Sequence, residues 1–358
     1  MISQACIQKI LETAPVEEVI GECIDLKKVG SNYSALSPFA NEKSPSFMVS
    51  PSKQIWKCFS SGKAGNNAAG FLMEHKGMTY PEALKTLADR YNIELEFENE
   101  PEKSDEKKEF ESRCEKVLQY ANNAFMKFLA MGAEDQSPAL KYLMVNRGLS
   151  EETLIEWQIG FAPDAWQSLT QNFINKGYYT EAEHLGLTKS SKGNNYDFYR
   201  NRIIFPIYDH IGKLVGFGGR ALDPDENAKY LNSKESDFYS KMNILYGLHR
   251  AIKAIKEEGK VYLTEGYTDV IAMHQAGIKN TVATCGTSLT VEHAHLLSRF
   301  TKHVILLRDG DEAGKKAAAR DLNNLMKKGF RVEVCTLPEG EDPDSLCRKM
   351  TSEELVVD

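Results

Sequence analysis

Asp309 and Asp311 are the residues from which a chemical reading of this 358-residue chain starts. They lie just past the apolar run Val304 to Leu307, which reads as a short buried strand. Gly310 lets the backbone turn sharply between them, and Gly314 opens a helical pattern running to Lys328. Ligands of open α/β sheets sit outside the carboxyl ends of the strands. Two hard oxygens held there suit Mg²⁺ or Mn²⁺; Mg²⁺ takes one or two carboxylates together with substrate phosphates. Asp-Gly is also ordinary turn chemistry, so the pair alone is equally a plain strand-turn-helix connection. Two neighbours separate these readings. Val261 to Thr264 is a second apolar run, ending in Glu265-Gly266. A third run, Arg331 to Cys335, is followed by Glu339, Glu341, Asp342 and Asp344. Three predicted strand ends thus each deliver acids, which is how a sheet assembles a metal cluster from distant parts of a chain.

The elements needed to position those acids are legible around them. Strands over 260–264, 281–283, 303–307 and 331–336 alternate with helices over 268–276, 290–300 and 312–328. That alternation predicts a parallel sheet with right-handed crossovers. Upstream, 200–209 and 213–220 read as a β-hairpin, the second strand ending in the glycine-rich Gly216-Phe217-Gly218-Gly219-Arg220. Helices are expected over 110–131 and 138–146, and another after Ser150, an N-cap residue. Before position 98, a helix over 4–20 interrupted near Pro15 leads into short strands over 33–39, 46–50 and 55–59 and then helices over 66–75 and 80–91.

Composition bounds the rest. The chain is 42% hydrophobic and 27% charged, as globular proteins are, and long enough for two or three domains. No apolar stretch is long enough for a membrane span, and the N-terminus lacks a signal-peptide pattern, so a cytoplasmic protein is expected. Seven scattered cysteines fit reduced thiols. A net charge of −7 argues against non-specific coating of nucleic acid but allows a local basic groove. Residues 94–115 carry an excess of acids and read as a solvated tether.

The stretch Ser37-Pro38-Phe39-Ala40-Asn41-Glu42-Lys43-Ser44-Pro45-Ser46-Phe47 resembles the zinc-binding N-terminal domain of bacterial and phage DnaG-type primases. The family pattern implies a Cys and a His here and a C-x-x-C pair later. This sequence has Ser37 and Ala40 at the first two positions, keeps Cys58, and has Ser61 at the last. One thiolate cannot hold structural zinc, which needs four N or S ligands, so no zinc is expected. Further motifs in order, Asn201-Arg202-Ile203 to Ile207, Gly216 to Arg220, Lys229-Tyr230-Leu231-Asn232-Ser233 and Leu245-Tyr246-Gly247-Leu248, are similar to the primase polymerase core. Glu265-Gly266-Tyr267, Asp309-Gly310-Asp311 and Asp342-Pro343-Asp344 are similar to the Toprim domain, which primases share with topoisomerases and some nucleases.

The resemblance implies an α/β (α+β overall) protein. Its expected parts are a degenerate zinc-ribbon-like domain over 1–97, an acidic linker over 98–109, the N-terminal subdomain of the polymerase core over 110–242, a Toprim subdomain over 243–347 and a tail over 348–358. It implies Glu265, Asp309 and Asp311 as catalytic residues, and Glu265, Asp309, Asp311, Asp342 and Asp344 as metal ligands, with Asp269 structural or supporting. Arg147, Arg202, Arg220, Lys229 and Lys241 match basic residues of the template and nucleotide groove. Arginine grips phosphate with a bidentate fork and lysine supplies a point charge. The implied activity is template-directed synthesis of RNA primers from NTPs on single-stranded DNA in replication. A replicative helicase is the further partner the family implies, through a C-terminal domain this sequence does not show. Whether the chain is a fragment or a short relative stays open. So do a non-synthesising relative that binds template or replisome proteins, and a Toprim nuclease.

Overall fold

The computed structural model describes residues 2–97, 105–132, 137–308, 312–338 and 340–349; the side chains of 312–316 and 336 lie outside the description. Contacts divide the chain into two compact units, 1–104 with 256–258, and 105–255 with 259–358.

The first unit opens with α1 (Gln4–Thr13) and α2 (Val16–Gly21). The break falls at Pro15, which lacks an N–H and becomes the N-cap of α2. A five-stranded antiparallel sheet follows in sequential order: β1 (Lys27–Val29), β2 (Asn32–Ala35), β3 (Phe47–Ser50), β4 (Ile55–Cys58) and β5 (Ala64–Gly65). Then come α3 (Ala68–Lys76) and α4 (Tyr80–Arg90). The outer strands β1 and β5 were not expected. β1 is exposed along its whole length and β5 is two residues long, so neither shows the alternation that betrays a strand. The core is aromatic: Trp56 stacks on Phe47 at 5.7 Å between centroids, and Phe39 and Phe71 pack around both. Gly65 lies opposite Trp56 across the sheet, and a Cβ there would meet the indole at 2.6 Å.

The second unit starts with α5 (Asp105–Met131). It begins five residues before the expected Phe110, because Asp105 and Glu106 suit the positive end of the helix dipole. The part of the expected linker from Asp105 onward is therefore helical. α6 (Pro138–Leu140) runs into a π-helical turn over Lys141–Asn146, where a regular helix was expected. Ser150 caps α7 (Glu151–Glu156), its Oγ accepting from Thr153 N–H at 3.2 Å. β6 (Gly160–Ala162), α8 (Thr170–Asn175), α9 (Tyr179–His184) and a small hairpin, β7 (Thr188–Ser191) with β8 (Asn194–Asp197), follow. β9 (Arg202–Tyr208), β10 (Leu214–Ala221) and β11 (Tyr230–Asn232) complete an antiparallel sheet of order β11-β10-β9-β6.

The last part is built from β12 (Leu245–Tyr246), α10 (Leu248–Glu258), β13 (Val261–Thr264), α11 (Tyr267–Gln275), β14 (Thr281–Thr284), α12 (Val291–Leu297), β15 (His303–Arg308), α13 (Glu312–Met326), β16 (Arg331–Thr336) and α14 (Pro343–Cys347). The sheet order is β12-β14-β13-β15-β16. All neighbours are parallel except β12, which pairs antiparallel with β14. β13, β14 and β15 are buried nearly throughout, so they read as apolar runs rather than alternating ones.

The antiparallel and parallel sheets of this unit share a core. Ile203 and Phe205 of β9 pack with Tyr246, Tyr267, Val270 and Cys285. Tyr267 stacks on Phe205 at 5.3 Å and lies against Gly218 so closely that a Cβ there would sit 2.5 Å from its ring. The glycine-rich strand was expected to admit a close backbone approach, and what approaches at Gly218 is this tyrosine.

Candidate active site

Of the expected acids, Glu265 stands at the carboxyl end of a central strand of the parallel sheet. Glu265 follows β13 directly, and its side chain is 38% exposed. One carboxyl oxygen, Oε1, is nonetheless buried and has no hydrogen-bond partner among the described residues. Gly266 turns the chain into α11, and Asp269 fastens that turn by accepting from Gly266 N–H at 2.9 Å. Asp269 is therefore a structural cap. Asp309 and Asp311 lie outside the described residues. Arg308, immediately before them, ends β15; it is buried, donates to Asp321 of α13, and stands 3.8 Å from Glu265 Oε1.

The third acidic segment departs from expectation. Asp342 is the N-cap of α14, with Oδ1 accepting from Ser345 N–H at 2.6 Å. Asp344, expected as a metal ligand, is fully buried and bonded to Arg147, with Arg348 3.5 Å away. That is the geometry of a structural anchor. Burial pushes its carboxyl above the usual carboxylate range, against the opposing pull of Arg147. Burial alone would lower the Arg147 pKa, but its bonds to Asp344 and Tyr142 outweigh this and raise it. Among the described residues no group of three or more His, Cys, Asp or Glu is placed to hold a metal.

The basic residues sort into three kinds. Arg147 and Arg220 flank Tyr142, with guanidinium carbons 5.2 and 4.9 Å from its ring centroid. Arg220 also donates to Tyr230 Oη, and Arg147 Nε donates to Tyr142 Oη at 2.6 Å. Lys229 and Lys241 are exposed. Arg202, expected in the groove, is instead buried; its Nη1 donates to the Ala228 carbonyl at 2.8 Å, so it braces the β10–β11 loop. Asn232 joins the two sheets: its Nδ2 donates to the Cys285 carbonyl and its Oδ1 accepts from Tyr267 Oη, both at 2.7 Å.

Sequence reasoning missed Tyr142, Tyr230 and one further cluster. Trp166 is 65% exposed, with Arg200 stacked 4.0 Å from its ring and Tyr196 5.8 Å away. An exposed indole backed by a guanidinium is a platform on which a nucleic-acid base can stack. No spacing in the sequence marks this pair; only the fold brings Trp166 to Arg200.

In the first unit, Ser37 Oγ and Ser60 Oγ lie 3.1 and 3.3 Å from Cys58 Sγ. Glu42 ties the knot, accepting from Ser37 N–H at 2.7 Å and Ser46 Oγ at 2.7 Å. Burial pushes the Cys58 thiol up, but the bonds from Ser37, Ser60 and Ser61 outweigh it and bring it down to about 6. These hydroxyls and one thiol do not fit zinc.

A parallel sheet whose strand β13 ends in Glu265, fused to an antiparallel sheet bearing a cation–aromatic cluster, defines the class as Toprim-containing. The chain matches the family descriptions "Toprim-like" over 262–347, "DNA primase catalytic core, N-terminal domain" over 126–252 and "CHC2 zinc finger" over 2–103. Relatives named DNA primase from Halalkalibacterium halodurans and Clostridium acetobutylicum are 41% and 38% identical over 100% and 99% of this chain. The chain spans 59% and 58% of the length of those two proteins. The crystal structure of the zinc-binding and RNA polymerase domains of the Aquifex aeolicus primase is 34% identical, with a TM-score of 0.64, covering 98% of this chain and 83% of that one. A DnaG primase catalytic domain bound to single-stranded DNA is 36% identical, with a TM-score of 0.62, covering 69% and 80%. The chain belongs to the DnaG-type primase family.

Proposed function

We propose that this chain is the synthesising part of a DNA primase, joining NTPs into short RNA primers on a single-stranded DNA template. The observation that carries the reading is the union, in one unit, of a parallel sheet whose strand β13 ends in Glu265 with a cation–aromatic cluster, through Arg147–Asp344 and Tyr267–Asn232. In the reaction the primer 3′-oxygen forms a bond to the α-phosphorus of the incoming NTP, the α–β bridging bond breaks, and pyrophosphate leaves. Arg220 and Lys229 would hold phosphate oxygens by charge. The stacked Trp166–Arg200 pair would carry a template base. The Glu265 oxygen that lacks a hydrogen-bond partner among the described residues fits a divalent ion, which Glu265, Asp309, Asp311 and Asp342 would hold. When bound, that ion braces the triphosphate and the charge that develops on it. Glu265 serves there either as a ligand or as the base that takes the 3′-hydroxyl proton.

The match to a zinc-finger family speaks for zinc in the first unit, and the donor set of Ser37, Ala40, Cys58 and Ser61 speaks against it. That substitution also motivates the second reading, a relative that binds template or replisome proteins without synthesis. A replicative helicase is a proposed partner, and the cytoplasm, where bacterial DNA replicates, the proposed location; no described helix is long and apolar enough to cross a membrane. Labelled NTPs on single-stranded templates test all readings together. Primase activity gives primers, which Glu265→Gln, Asp309→Asn and Asp311→Asn each abolish while circular dichroism stays unchanged. Template binding without product favours the second reading, and template cleavage favours a Toprim nuclease. Full primer yield from any two of the variants would sink the acid assignment.

A further inference from the structure

Arg308 is out of place in the strand it ends. β15 is otherwise a buried apolar run after His303, yet its last residue is a guanidinium left only 5% exposed. A buried charge must be paired. Its partner is Asp321 of α13, itself 1% exposed, to which Nη2 donates. Nη1 donates to the carbonyl of Thr264, the last residue of β13, at 3.3 Å. The same Nη1 stands 3.8 Å from Glu265 Oε1, close enough for electrostatic attraction but too far for a hydrogen bond. Glu265 Oε1 and Arg308 Nε both lack a hydrogen-bond partner among the described residues. The guanidinium is thus held by one bond to Asp321 and one to Thr264, and it faces Glu265 Oε1 at a distance that leaves that oxygen without a hydrogen bond from the described residues.

We propose that Arg308 is a positioning residue: anchored by Asp321 and Thr264, it orients the Glu265 carboxylate and offsets one negative charge of the acid site, so the site binds divalent cation more weakly than its number of acids implies. Every acid drawn to a strand end adds attraction for cations. A fixed internal cation beside Glu265 subtracts from it, and burial keeps that charge from being screened by salt. Nη1 is the nitrogen that stands near Glu265 and Nη2 the one that meets Asp321, so the positive charge acts on Glu265 directly and Asp321 acts through it. The inference rests on the reading that Glu265 belongs to a divalent-ion site.

The test is Mn²⁺ binding to the full chain, read from free Mn²⁺ by electron paramagnetic resonance, with no turnover. Arg308→Met/Asp321→Leu removes both charges and keeps the volume apolar, a replacement that buried ion pairs tolerate. It is expected to tighten Mn²⁺ binding on the order of tenfold. Asp321→Asn leaves Arg308 uncompensated and is expected to weaken binding by a similar factor. A merely structural pair would move both variants in the same direction, through loss of order. If the double variant does not fold, Asp321→Asn still decides, because unchanged or tighter binding there overturns the proposal. Glu265→Gln separates the two layers. If it weakens Mn²⁺ binding while the Arg308 and Asp321 variants do not move it in opposite directions, the role of Arg308 is wrong and the metal site stands. If Glu265→Gln has no effect, the metal-site reading itself fails.

Discussion

Gly65 and Trp56 should be energetically inseparable, and a double-mutant cycle measures it. Trp56 is 1% exposed, contacts three aromatic rings and donates from Nε1 to the Asn67 carbonyl at 3.2 Å. Trp56→Ala should therefore cost about 3–5 kcal/mol, a large share of the roughly 5–15 kcal/mol that holds a typical domain. Gly65→Ala builds a methyl 2.6 Å from both the Cε2 and the Nε1 atoms of the indole. Overpacking of that kind costs about 1–3 kcal/mol. Gly65 has no left-handed backbone angle, and the three atoms nearest to an added methyl all belong to the indole. Once Trp56 is alanine, Gly65→Ala should be neutral or slightly stabilising, since glycine within a strand costs about 0.5–1 kcal/mol relative to alanine. The expected coupling is thus about 1–3 kcal/mol, well above the roughly 0.5 kcal/mol scatter of independent sites. Amide hydrogen exchange of peptides from residues 2–97 in the full chain, followed by mass spectrometry, reads the opening free energy of this unit alone. Additive costs would refute the packing described for this sheet.

Three further outcomes are expected. Asp344→Asn should destabilise the second unit by about 1–3 kcal/mol by taking the carboxylate from the half-buried Arg147, whereas Arg147→Met/Asp344→Leu should cost less in a urea titration. Acid should weaken the same unit, because burial holds His249 and His274 down at about 3 and about 4. Their folded pKa values lie below the unfolded value of about 6.5, so the stability they contribute is present above pH 6.5 and lost as pH falls towards 4; at pH 5 the loss is on the order of 2 kcal/mol per histidine, and a flat stability between pH 7 and 5 would exclude it. Protein purified without added metal should hold no stoichiometric zinc, and chelator should leave the thermal midpoint unchanged; one zinc per chain by elemental analysis would show that other ligands close the site.

The parallel sheet was legible because β13, β14 and β15 are buried on both faces and appear as uninterrupted apolar runs, with acids or turn residues marking their ends. The helices α4 and α7 were legible from periodicity and caps. What escaped notice was decided by packing. β1 and β5 have no alternating pattern, and the β7–β8 hairpin has only its Lys192-Gly193 turn to announce it, with both residues at positive φ. The same limit applies to the site. Residue type and motif order singled out Glu265 and Arg220 together with Arg202 and Asp344, and burial separates the first two from the last two. Those two face inward, one bracing a loop and the other pairing with Arg147, and no sequence spacing distinguishes a charge that points into a core.

Tyr267 stands two residues after Glu265, stacks on Phe205 of the neighbouring sheet, leans on Gly218 and is bonded to Asn232. Three residues of the antiparallel sheet and the first residue of α11 thus form one joint, and the joint has consequences for how such proteins can diverge. A Toprim half exchanged for that of another protein would bring an aromatic without its glycine seat, or leave the seat empty. Change in either half must therefore be matched in the other, so the two halves are inherited as one piece even though each resembles a separate module.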